Sequence, residues 1–227
     1  MVNSMKGNFE NQLSLSLFDD LEVTTQPLSE TIAMPNGEPM LNGEVVRYCN
    51  FFNKVESDQL FQELLSRIKW RQDKMKLYGK EIDLPRLTAW YGDDGKAYTY
   101  SGISMNPDAW TPTLLSIKRR IEEVAEVQFN SVLVNLYRSG KDSVSWHSDD
   151  EPELGKNPII GSVSFGEARR FQLRHKLNKS LDKVEITLTH GSLLIMKGST
   201  QHFWQHQIPK TSKSLRERIN LTFRIIN

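Results

Sequence analysis

Three side chains in this sequence have the types and spacing to hold a metal ion. In Trp146-His147-Ser148-Asp149, the imidazole of His147 and the carboxylate of Asp149 stand two residues apart. In an extended strand such positions project from one face, so both could close on one small ion. Far downstream, Trp204-Gln205-His206 supplies a second imidazole. Two imidazoles and a carboxylate gathered on one side of an ion leave its opposite positions open, which is the facial arrangement of non-haem Fe(II) oxygenases. A His-x-Asp pair alone is also what a surface strand carries by chance, so the set needs independent support.

That support lies in the C-terminal run Arg218-Ile219-Asn220-Leu221-Thr222-Phe223-Arg224. Its period of two places Arg218, Asn220, Thr222 and Arg224 on one side and Ile219, Leu221, Phe223 and Ile225 on the other. The apolar side faces a core. Two guanidiniums on a semi-buried polar side call for an anion against them. Their planar forks match a carboxylate, so a dicarboxylate co-substrate is a natural occupant. The bland alternative is an edge strand with a solvated polar face.

The elements that must position these groups are short strands. From residue 131 onward, apolar runs separated by Gly, Pro and Asn predict strands over 131–138, 144–147, 159–165, 170–175, 183–188, 192–196, 203–206 and 218–226. Eight strands at this spacing predict a mainly β, double-sheet jelly roll over 131–227, with preceding helices packed on one sheet. The metal would sit in the mouth between the sheets. Upstream, a strand over 44–52 leads into a helix capped near residues 53–58, with Leu60, Phe61, Leu64, Leu65 and Ile68 at helical spacing. A polar loop follows over 73–83. Gly92-Asp93-Asp94-Gly95 predicts a turn that could pair the aromatic strands 88–91 and 98–101 as a hairpin. An amphipathic helix spans 111–127, with Leu114, Leu115, Ile117, Ile121, Val124 and Ala125 inward and Lys118, Arg119 and Arg120 on a solvated face. Trp146 and Trp204 flank the ligand positions and are expected to pack around the site.

The bounds are those of a folded domain over 43–227 behind a flexible tail, 1–42, of Asn, Ser, Thr, Pro and Gly with few aromatics. A net charge of +1 at pH 7 says nothing of nucleic acid by itself, so basic residues must be judged by clustering. Arg169, Arg170, Arg174, His175 and Lys176 form such a cluster and could follow phosphates. His202 reads as a surface residue and His190 as a turn residue. The single cysteine, Cys49, excludes an intrachain disulfide, points to a reducing interior, and reads as a small buried residue. No run approaches the ~20 apolar residues of a membrane helix and no secretory block is seen, so a soluble cytosolic protein is expected; separately, a monomer acting at a bacterial nucleoid is expected. Within the tail, Gln12-Leu13-Ser14-Leu15-Ser16-Leu17-Phe18 resembles the short peptides with which bacterial repair and replication proteins bind the sliding clamp; an extended apolar peptide can dock in a groove.

Several further stretches carry a resemblance. Asn135-Leu136-Tyr137-Arg138, His147-Ser148-Asp149-Asp150-Glu151-Pro152, residues 158–166, His190-Gly191-Ser192-Leu193-Leu194-Ile195-Met196, Trp204-Gln205-His206 and the 218–224 run are similar to the AlkB family of Fe(II)- and 2-oxoglutarate-dependent nucleic-acid dealkylases. The likeness spans most of residues 70–227, and Tyr91-Gly92-Asp93 with Tyr98-Thr99-Tyr100-Ser101-Gly102 resembles the substrate lid, about 70–105, of members that repair DNA. The resemblance implies His147, Asp149 and His206 as iron ligands and Arg218 as partner of the far carboxylate of 2-oxoglutarate. It implies Asn135, Tyr137, Asn220 and Arg224 as the rest of that wall. It implies O2 as second co-substrate, and oxidation of an N-linked methyl group on a DNA base of the 1-methyladenine or 3-methylcytosine type, with release of formaldehyde and succinate. An RNA demethylase and a protein hydroxylase are the alternatives. Such a methyl lies inside a duplex, so the base must be extruded or single-stranded. The resemblance sandwiches it between Tyr100 and His147, faces its amine with Asp150 and Glu151, adds Arg86 and Ser101 as contacts, and offers Tyr78 as a wedge in the vacated stack.

Overall fold

A computed structural model describes residues 28–77, 79–95, 98–100, 103–105 and 107–227. In chain order the elements are β1 (Ser29–Thr31), β2 (Glu44–Tyr48), α1 (Lys54–Arg67), β3 (Lys74–Leu77), β4 (Lys80–Asp83), β5 (Leu87–Gly92), β6 (Tyr98–Tyr100), β7 (Ile103–Met105) and α2 (Pro112–Ala125). Eight strands and one short helix then complete the chain: β8 (Ser131–Tyr137), β9 (Val144–His147), β10 (Ile160–Gly166), β11 (Arg169–His175), β12 (Val184–Leu188), β13 (Ser192–Lys197), α3 (Thr200–Phe203), β14 (Trp204–Ile208) and β15 (Arg218–Arg224).

The last eight strands fold into two facing antiparallel sheets. One has the order β1-β2-β13-β10-β15-β8-β5 and the other β12-β11-β14-β9, so the jelly roll read from the sequence is present, each of its strands within two residues of the expected bounds. The larger sheet is covered on its outer face by the two long helices. Asn53 caps α1 by accepting from the Glu56 N–H, and Thr111 caps α2 by accepting from Leu114 with Pro112 in the first turn. Leu64 and Ile68, with Leu114, Ile117 and Ile121, meet Val132, Val134, Val163, Ile219, Leu221 and Phe223 in the main core. Burial of each such side chain contributes roughly 1.5–3 kcal/mol. Gly161 permits the close approach of helix to sheet, since a Cβ there would lie 3.2 Å from Phe129 and 3.3 Å from Ile121. A second core lies between the sheets, where Phe171, Leu173, Ile186 and Trp204 meet Val45, Tyr137, Leu194 and Met196.

Five expectations need correction. The tail does not run to residue 42: β1 pairs with β2, and Ile32, Met34 and Met40 are buried in the second core, so structure begins well before residue 43. The aromatic strands 88–91 and 98–101 do not form a hairpin. β5 adds to the edge of the larger sheet beside β8, where every residue after Leu87 is buried, and β6 pairs with β7. The 73–83 stretch, expected as a loop, is the β3–β4 hairpin. Lys118 and Arg120 are not simply solvated: Lys118 pairs with Glu122 at 2.9 Å and lies over Trp110, while Arg120 bonds Glu56 and lies over Phe51 and Phe52. Cys49 is half-buried rather than buried. Among the described residues no helix is long and apolar enough to cross a membrane. The Gln12-to-Phe18 peptide lies outside the described residues.

Candidate active site

A β-bulge aims the first histidine. His147 faces His206 and Val144 faces Ile208, so three steps along β9 match two along β14. Strict alternation would put Val144 and His147 on opposite faces; the extra residue turns both toward the space between the sheets. Trp146 consequently points outward, with Arg174 4.3 Å and Lys183 5.8 Å from its ring, and does not pack around the site. Trp204 does stay inside, fully buried and donating its indole N–H to the Leu41 carbonyl at 2.9 Å.

His147, Asp149 and His206 converge, with one candidate ligand atom from each lying within 4.8 Å of the others. Every one of them is held by its surroundings. The Nδ1 of His147 lies 2.8 Å from the Ser145 carbonyl, so it carries the proton and leaves Nε2 as a lone-pair donor. The His206 ring stacks on Phe171 at 5.2 Å. The Asp149 N–H donates to Gln201 Oε1 at 3.0 Å, and Asp149 Oδ1 accepts from Arg224 Nη2 at 2.8 Å. Burial pushes the His206 imidazole down to about 3, with the His147 charge adding to the effect. Burial, partly offset by Asp149, also lowers His147. Burial raises the Asp149 carboxyl, but Arg224 and the two histidines more than offset this and hold it at about 2. The set is therefore two neutral imidazoles and one carboxylate at neutral pH, the protonation states that bind a divalent cation. Asp149 Oδ2 is buried with no hydrogen-bond partner. A buried carboxylate oxygen without a donor is costly, and a cation between the imidazoles would satisfy it. These residues fit Fe(II).

Beyond the three ligands the same cavity continues along the larger sheet. It is lined by Arg86, Asn135, Tyr137, Arg218, Asn220 and Arg224, among others. Strand register builds this wall: Arg218 stands beside Tyr137, Asn220 beside Asn135, and Asn220 again beside Ser164. The polar side of β15 thus faces inward between the sheets while Ile219, Leu221 and Phe223 face the helices. Arg218 is 1% exposed. Its Nη2 donates to Ser164 Oγ at 2.9 Å, its Cζ lies 5.0 Å from the Tyr137 ring, and its Nε and Nη1 have no partner. A buried guanidinium with two donors left over in a polar cavity fits the far carboxylate of 2-oxoglutarate. Asn220 donates to Ser162 Oγ at 2.9 Å and to the Val163 carbonyl at 3.0 Å. Arg224 reaches Asp149, so it acts on the ligand carboxylate itself.

The structure thus brings together all three ligand positions and all five expected co-substrate contacts. Of the expected substrate contacts, Arg86 is buried in the cavity wall, donating to Asn135 Oδ1 at 2.8 Å and to the Ser143 carbonyl at 3.3 Å. Asp150 is exposed and paired with Lys176 at 2.6 Å, and Glu151, half-buried, heads the single turn Pro152–Leu154. Tyr78 and Ser101 lie outside the described residues, as does the side chain of Tyr100, whose backbone lies in β6. Sequence reasoning missed Ser162, Ser164 and Gln201. The two serines alternate with Val163, a signal that would have placed them on the face of Arg218; Gln201 sits in a one-turn helix that left no periodic trace.

The basic cluster is divided rather than gathered. On β11, Arg169, Phe171, Leu173 and His175 are buried, while Arg170 faces solvent and Gln172 and Arg174 are partly exposed. The cause is strand alternation in a sheet covered on one face. His175 is therefore neither a surface residue nor a phosphate contact: its Nδ1 accepts the N–H groups of Leu177 and Asn178. His202 is exposed as expected.

Known proteins place the chain. Residues 44–224 match the family model of the 2OG-Fe(II) oxygenase superfamily. Human alpha-ketoglutarate-dependent dioxygenase alkB homolog 3 is 46% identical over 190 residues, covering 80% of this chain and 66% of that protein. The cattle DNA oxidative demethylase ALKBH2 is 40% identical over 188 residues, covering 79% of this chain and 68% of that one. The chain spans about two thirds of the length of the first of these relatives. The solved structure of OsALKBH1 shares the fold at 19% identity with a TM-score of 0.58, covering 79% of this chain and 97% of that one. The chain belongs to the AlkB family of the 2OG-Fe(II) oxygenase superfamily, dioxygenases that use Fe(II), 2-oxoglutarate and O2.

Proposed function

We propose that this protein removes N-linked methyl groups from alkylated bases in DNA by direct reversal. The observation that carries the reading is the single cavity joining His147, Asp149 and His206 to the unsatisfied guanidinium of Arg218. The names of its relatives, among them DNA oxidative demethylases, support the choice of DNA.

When bound, Fe(II), 2-oxoglutarate and O2 supply the oxidation: one oxygen atom ends in succinate as CO2 leaves, and the other enters a C–H bond of the methyl group. The chain's residues bind, orient and shield. His147, Asp149 and His206 hold the metal, with Gln201 fixing the Asp149 backbone through its N–H and Arg224 fixing the direction of its carboxylate. Arg218 takes the far carboxylate of the co-substrate, Tyr137 and Asn135 stand beside it on β8, and Ser164 and Ser162 hold Arg218 and Asn220 in place. Phe171, Leu188 and Ile208 make the opposite wall apolar and limit water. The hydroxymethyl group left on the base nitrogen loses formaldehyde as the N–C bond breaks: the bonding pair returns to the ring nitrogen, and the hydroxyl proton leaves to solvent, which discharges the cationic lesion. A base must leave its stack to reach this cavity, and the ring of His147, half-exposed at the mouth, is the surface on which it would lie.

The test is formaldehyde release from matched oligonucleotides carrying 1-methyladenine in single-stranded DNA, duplex DNA and RNA. Release from DNA in preference to RNA is expected. Preferential release from RNA would replace DNA with RNA as the substrate, and silence on all three with continued 2-oxoglutarate turnover would turn the search to proteins.

A further inference from the structure

We propose that Arg169 is a positioning residue for the co-substrate, a second buried guanidinium that fixes Tyr137 and the closed end of the cavity and strengthens its hold on a dicarboxylate. The proposal rests on the reading that Arg218 receives the far carboxylate of 2-oxoglutarate.

Arg169 opens β11 on its inward face and is 3% exposed. Its Nη1 donates to the Ser139 carbonyl at 3.2 Å, and its Nη2 donates to the carbonyls of Asp142 and Pro209 at 2.8 and 2.9 Å. Ser139 and Asp142 belong to the connection from β8 to β9, and Pro209 follows β14. One side chain thus ties the end of the strand that carries Tyr137 to the end of the strand that carries His206. Its Cζ also lies 5.5 Å from the Tyr137 ring, the same ring that Arg218 approaches to 5.0 Å. Tyr137 therefore sits among two guanidiniums, each attracted to its π face.

Charge gives the arrangement its direction. The nearest carboxylate to Arg169, that of Asp142, is engaged by Arg138 through bonds of 2.8 and 2.9 Å. Among the described residues no carboxylate forms an ion pair with Arg169 or Arg218. Burial holds the Arg218 guanidinium down at about 10, and the charge of Arg169 pushes in the same direction. Two buried cations near one another are stabilised by an anion placed beside either, and Arg218 has Nε and Nη1 to offer it. A carboxylate arriving there interacts with two positive charges at low local dielectric. The carbonyl bonds keep Arg169 itself out of reach, so it acts through Tyr137 and through the field.

The experiment measures 2-oxoglutarate binding by calorimetry to Mn(II)-loaded protein without O2, together with KM and kcat, in Arg169→Met, Arg169→Lys, Arg218→Met and Arg170→Met. Arg169→Met is expected to weaken binding and raise KM roughly tenfold, the scale of one cation a few ångströms further away at protein dielectric, while kcat at saturating co-substrate stays within about twofold. Arg169→Lys, which keeps the charge and loses the fork, recovers part of the loss. Arg170→Met, on the outer face opposite Glu185, changes neither quantity. Unchanged binding in Arg169→Met overturns the proposal, as does a fall in kcat with binding intact. If Arg169→Met does not fold, Arg169→Lys decides: native binding with the fork gone overturns the anchoring role. Unchanged binding in Arg218→Met would instead overturn the underlying reading of the cavity.

Discussion

The two sheets of the jelly roll are dressed differently. The larger one is covered on both faces, by helices outside and by the cavity inside, and its central strands β8, β10 and β13 are buried nearly throughout. The smaller one is covered on one face, and β11, β12 and β14 alternate between buried and more exposed positions. In the doubly covered sheet the inward polar positions of β8 and β15 open into the cavity, so Asn135, Arg218, Asn220 and Arg224 all belong to the site. In the singly covered sheet parity decides. His206 and Arg169 point in and matter to the chemistry, while Arg170, one residue along, points to solvent.

Three measurements can break this contrast. The largest effect is expected at His206, an inward position of the smaller sheet. His206→Ala should reduce turnover by more than about a hundredfold, beyond what loss of a supporting partner costs, with the circular dichroism of the fold retained. Activity within a few fold of the native protein would remove His206 from the ligand set. A smaller effect is expected from Arg169→Met on co-substrate binding, set against none from its outward neighbour Arg170. The smallest concerns His175, inward on the same strand. Burial, then the nearby Lys179 charge, lowers its pKa, and its Nδ1 already accepts two N–H groups. A group whose folded pKa is depressed in this way contributes fully above its ordinary value near 6.5 and loses that contribution as pH falls below it. Denaturant unfolding at pH 7.5 and 5 should therefore show less pH-dependent loss in His175→Gln than in the native chain. Equal losses would mean that His175 is not protonated on unfolding in that window.

Much of this was legible in the sequence because the chemistry sits on strands. Period-two alternation in Arg218 to Arg224 announced both the core face and the polar wall, and strand lengths over 131–227 announced the jelly roll. What escaped notice depended on tertiary context. Whether Arg169 and Arg170 share a surface depends on which face of β11 is covered, which composition does not state. The bulge that turns His147 inward leaves no residue signature in Val144-Ser145-Trp146-His147. The burial of Ile32, Met34 and Met40 was hidden because three apolar residues among polar ones resemble a tail until a partner strand, β2, is placed beside them. Residues 74–77 and 80–83 form a two-stranded sheet of their own, so no covering layer imposes the apolar alternation by which a strand is read.

The measurement that reaches the central claim most directly is the stoichiometry of products from a single-stranded DNA oligonucleotide carrying 1-methyladenine, with Fe(II), 2-oxoglutarate and O2 supplied. Formaldehyde and succinate in equal amounts, with the unmodified oligonucleotide recovered, is the predicted result. Succinate formed at the same rate with and without the methyl group, and no formaldehyde, would contradict it.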